Sequence, residues 1–73
     1  MTVEMHPVYS SHITALGHDA GAGELHVQWD SGRTSVFGPG IDAATADRIR
    51  KSRSVGQAVT KDVKGKFGHR YLE

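Results

Sequence analysis

Cysteine is absent from this 73-residue chain. No disulfide can form, and the thiolate zinc sites of small nucleic-acid fingers are excluded. Aromatic residues make up only 7% of the sequence and proline occurs twice, so large side chains for a core are scarce. No apolar run approaches the roughly 20 residues of a membrane helix. Residues 1–7 lack the basic-then-apolar order of a signal peptide. These absences predict a cytoplasmic protein with no membrane attachment. The length allows one domain, residues 1–73, with 1–7 expected as a flexible N-terminal segment. A domain this small buries only about 60% of its unfolded surface. Little room is left for a substrate pocket of about 300 Å³ or more. Size therefore favours binding over catalysis, and a monomer without a small-molecule substrate is the expectation.

Charge is present in balance but unevenly placed. Residues 1–47 carry Glu4, Asp19, Glu24, Asp30, Asp42 and Asp47 against Arg33 alone, a net charge of −5. Residues 48–73 carry eight cations against Asp62 and Glu73, a net charge of +6. Such asymmetry points toward nucleic acid or charged protein partners. A solvated basic face that folds back on the acidic half accounts for it equally well.

The pattern predicts an α+β domain: a small antiparallel meander of three strands, or four, packed against two short helices. Val8 to Leu16 reads as a strand in which Ile13 and Ala15 share one face and Thr14 and Leu16 the other. Residues 17–23 read as a turn. Along Glu24 to Asp30, Leu25, Val27 and Trp29 point one way and His26 and Gln28 the other. Asp30-Ser31-Gly32 forms a tight turn into a strand from Arg33 to Phe37. Asp42 can cap a helix from Ala43 to about Ser52. Ser54 can cap a second, on which Val55, Ala58, Val59 and Val63 recur at helical spacing, and Gly65 stops it. Phe67, Tyr71 and Leu72 then close the core or form a last strand. Pro7 argues against regular pairing of the N-terminal stretch.

Few constellations suggest chemistry. The five histidines include no pair at the spacing that places two ligands on one helical face, so no metal site and no cofactor are expected. His18 and His26 could face each other across the first hairpin. No nucleophile elbow and no phosphate loop occur, so no catalytic residue is expected. The basic residues say more. Arg48 with Lys51, and Arg50 with Arg53, form ridges on the first helix, and Lys61 and Lys64 extend the face on the second. Such a face suits RNA or an acidic surface. Lys66, Phe67, His69, Arg70 and Tyr71 interleave cations with rings, a pattern that suits stacking on bases. Phe67 is assigned to the core. Met5, His6, Val8 and Tyr9 lie beside an exposed sheet edge that could receive an extended peptide.

Ser10-Ser11-His12-Ile13, the strand ending in Trp29-Asp30-Ser31-Gly32, the capped helix, Ser54-Val55-Gly56 and the final Gly65-Lys66-Phe67 resemble the KTSC domain. The likeness runs from about Val8 to Tyr71. The family's central Tyr-x-Tyr is Ser35-Val36-Phe37 here, so one of its two aromatics is missing. The family resemblance implies a free-standing RNA-binding module. The chain also resembles the small transcription regulators of lytic bacteriophages. That resemblance implies docking on bacterial RNA polymerase at the N-terminus of its β′ subunit, inhibition of initiation by σ-factor displacement, and antitermination in the bacterial host cytoplasm. Under it, Met5, His6, Val8 and Tyr9 would meet the protein partner, and Arg48, Lys51, Arg53, Lys61 and Lys64 the acidic surface or RNA.

Overall fold

The computed structural model describes residues 3–8, 12–63 and 65–72. It contains one antiparallel sheet of five strands in sequence order: β1 (His6–Pro7), β2 (Ile13–Asp19), β3 (Glu24–Trp29), β4 (Thr34–Phe37) and β5 (His69–Leu72). Helices α1 (Ala43–Arg50) and α2 (Val55–Asp62) lie in the chain between β4 and β5. The expected count of three or four strands is therefore too low. The fifth strand is β1, where His6 pairs with Leu16 and Pro7 with Ala15. Pro7 is tolerated because β1 is an edge, where a missing N–H breaks no second ladder. Gly17 makes this crossing possible. A Cβ there would stand 2.6 Å from Met5 Sδ and 2.7 Å from Val3 Cγ1, so only a bare backbone admits the N-terminal segment.

The first hairpin also departs from its expected form. β2 runs on to Asp19, so the turn is shorter than residues 17–23. A register shift between Ile13 and Ala15 breaks the strict alternation of β2. Ile13 and Leu16 both enter the main core, and Ala15 does not. A bulge of this kind adds a residue to one strand and turns the following side chains over. His18 and His26 do not pair, because His18 lies opposite Leu25 and Gly17 opposite His26.

The helices form where their caps and apolar spacing predict, with α1 two residues shorter. The Asp42 carboxylate accepts the Thr45 N–H at 2.8 Å. Hydrogen bonding from the Thr45 side chain and backbone holds the carboxyl below the usual aspartate range. Ser54 stands at the N-cap of α2 without a side-chain capping bond. Gly65 follows α2 with φ +85°, a left-handed conformation that glycine adopts freely. Ala46 and Ile49 of α1 and Val55 and Val59 of α2 meet Leu16, Leu25, Val27 and Phe37 of the sheet in one core. Phe67 packs against that core as expected. Ser35 is fully buried among these residues, and its Oγ accepts the Trp29 Nε1–H at 2.6 Å.

Candidate docking cleft and basic pole

The two helices cover one face of the sheet, and α1 lies beside β2. Between β1, β2 and α1 opens a cleft of 260 Å³. Buried Leu16 and Leu25 give it an apolar floor, while Glu4, His6, Asp47 and Arg50 supply its polar rim. The Asp47 carboxylate accepts from Arg50 Nη2 at 2.8 Å and Lys51 Nζ at 3.0 Å. These bonds hold its carboxyl below the usual range. His18 Nε2–H donates to the Ile41 carbonyl at 2.7 Å, tying β2 to the entry of α1. The volume suits one or two side chains of a partner more than a drug-sized ligand.

The residues expected at a protein contact separate. His6 faces this cleft. Met5 lies on the opposite side of the sheet, in a groove with Val3, His26, Gln28, Thr34 and Leu72. Val8 packs against the core. Tyr9 lies outside the described residues. Adjacent positions on an extended segment alternate sides, so His6 and Met5 lie on different faces of the sheet. Glu4, which the sequence did not single out, joins His6 in the cleft. Their spacing of two was the available signal.

The basic residues also separate. Lys51 is paired to Asp47, and Arg48 is exposed on α1 and engaged in an interaction of its own. Arg53 and Lys61 line a second groove with Ser52, Ser54, Gln57 and Ala58. Lys64 lies outside the described residues. Arg53 and Lys61 make no ion pair among the described residues, so the free positive charge collects at the α2 end. The acidic and basic halves do meet elsewhere: Arg70 on β5 reaches Glu24 on β3 at 3.2 Å. Tyr71 is 52% exposed, with the Arg33 guanidinium 5.2 Å from its ring centroid and His69 edge-on at 4.8 Å. It stands outside the core, with cation–π contact from Arg33.

Order and spacing of these elements agree with a known domain. The sequence pattern of the KTSC domain matches residues 9–67. The chain belongs to the KTSC domain family. Its fold is shared with a KTSC domain protein from Yersinia pestis, with a TM-score of 0.87 and 26% sequence identity. The alignment covers 99% of this chain and 100% of that one. None of the curated proteins is similar to it. Within this KTSC domain, Ser54-Val55-Gly56 begins α2: Val55 enters the core, and the Gly56 carbonyl accepts the Thr60 hydroxyl at 2.9 Å. Ser35-Val36-Phe37 is β4, with all three residues buried. Ser35, where the resemblance leads one to expect an aromatic, anchors Trp29 through its hydroxyl.

Proposed function

We propose that this KTSC domain is a non-catalytic docking domain whose β1 edge and adjoining cleft take an extended segment of a protein partner. The observation that carries this reading is the coincidence of an open strand edge with a polar-rimmed cleft beside it. Main-chain pairing at an edge supplies affinity, and a pocket for alternate side chains supplies specificity. Glu4 has no cation partner among the described residues, and it favours a basic side chain in the cleft. Under the resemblance to phage transcription regulators, the partner would be the N-terminus of the β′ subunit of bacterial RNA polymerase. Occupation of that segment would loosen σ and act at initiation and at terminators, in the host cytoplasm. Retention of polymerase from a bacterial lysate at moderate salt, mapped to a β′ N-terminal peptide by amide shifts at residues 4–6, is the expected result. Gly17→Ala drives a methyl into Met5 and Val3 and should abolish retention by displacing β1. Retention unchanged in G17A rules the edge out.

A second reading, RNA binding, is favoured by the groove that Arg53 and Lys61 share. Under it, affinity for single-stranded RNA falls with salt at a slope of about −0.7 per phosphate neutralised. R53E/K61E should then remove binding, and equal affinity in that variant rules the face out.

A further inference from the structure

We infer that Asp19, Glu24 and His26, at the first hairpin, form a binding site for a divalent transition-metal cation. β2 and β3 place Asp19 directly opposite Glu24. His26 follows Glu24 by two residues, so both point to the same side of β3. One ligand atom from each of the three lies within 4.8 Å of the others. Donors around a tetrahedral zinc stand about 3.3 Å apart, given bonds of about 2.0–2.1 Å. Each donor pair must close by at most about 1.5 Å to reach that spacing.

Two features make the trio unusual without a cation. Like charges directly opposite each other on paired strands are destabilising. Among the described residues Asp19 has no cation partner, and its Oδ1 accepts only the Ala22 N–H at 3.2 Å. His26 Nε2 is sealed from solvent and has no hydrogen-bond partner. A buried ring nitrogen without a partner is rare in a folded protein. Glu24 already pairs with Arg70, so a metal ion would neutralise Asp19 and give the imidazole a partner. Glu24 is already oriented by Arg70 at 3.2 and 3.3 Å, the arrangement in which an outer residue fixes a ligand. Two carboxylate oxygens with one imidazole nitrogen suit Zn²⁺ or Mn²⁺, where Mg²⁺ and Ca²⁺ prefer oxygen alone. The helical spacing of two ligands is absent, but cross-strand pairing replaces it.

The test uses the full chain, titrated with Zn²⁺ by calorimetry and with Mn²⁺ by amide line broadening. The expected result is one Zn²⁺ per chain, and Mn²⁺ broadening centred on residues 17–19 and 24–26. D19N and H26Q should each weaken Zn²⁺ at least tenfold while amide spectra stay dispersed, and H12Q should change nothing. D19N is nearly isosteric and keeps the fold, so it decides the matter if H26Q unfolds. Absence of uptake at millimolar Zn²⁺, broadening centred elsewhere, or undiminished affinity in D19N overturns the proposal.

Discussion

The two faces of the sheet are built on different principles. The helix-covered face holds Ile13, Leu16, Leu25, Val27 and Phe37 under Ile49, Val55, Val59 and Val63. The other face holds Gly17, His26, Gln28, Thr34, Arg70 and Leu72, with Val36 1% exposed among them. The first excludes water with apolar packing. The second shields one valine with long polar side chains and a short N-terminal strand. The difference teaches where this domain can afford functional chemistry. Polar groups that hold charge, pair or ligate gather on the second face and around the cleft rim, where burial is incomplete and desolvation costs less.

The contrast is testable, beginning with its strongest side. Ile49 is fully buried, and Ile49→Ala should cost about 2–5 kcal/mol. For a domain this small that is enough to unfold much of the population, visible in urea titration by circular dichroism. Val36→Ala on the other face should cost less, about 1–2 kcal/mol, in the same titration. Equal losses would mean that the second face carries a core of its own. Ser35→Ala leaves the Trp29 indole N–H without its partner and should cost about 1 kcal/mol. The check is a change in tryptophan emission together with the urea midpoint. Glu24→Gln weakens the exposed pair with Arg70, and such pairs contribute about 0–1 kcal/mol. Its expected signature is a small loss that high salt erases.

Acid should act on the covered side first, through the helix α1. Asp42 and Asp47 both have lowered carboxyl pKa values, the first from the Thr45 hydrogen bonds and the second from Arg50 and Lys51. A lowered folded pKa contributes stability that is present above the unfolded value, about 3.9, and lost as pH falls through the folded value. Thermal midpoints should therefore hold above about pH 4 and decline below it. Asp47→Asn should flatten part of that decline.

Much of the fold was legible along the chain. Leu25 and Val27 alternate with polar partners, Asp42 precedes a helix, and Val55, Val59 and Val63 recur at four-residue spacing. Each of these signals is local, because propensity, capping and periodicity act within a few residues. β1 was not legible, because a two-residue strand carries no period and contains a proline. The bulge in β2 escaped for a related reason: alternation of Ile13 and Ala15 reads correctly until the register slips. The candidate sites were less legible still. His6 and Met5 read as one surface and lie on two. Lys51 read as part of the basic face and is tied to Asp47.

Sequence alone determined the helices, the central hairpin, the core positions Leu25, Val27, Val55, Val59 and Val63, and the family, through residues that act on near neighbours or match a known pattern. Tertiary structure decided which charges remain free, because pairing depends on distance in space: Asp47 holds Arg50 and Lys51, Glu24 holds Arg70, and Arg53 and Lys61 are left at one pole. It also decided that Asp19, Glu24 and His26 meet. Residues 19 and 24 become neighbours only when two antiparallel strands pair in one register.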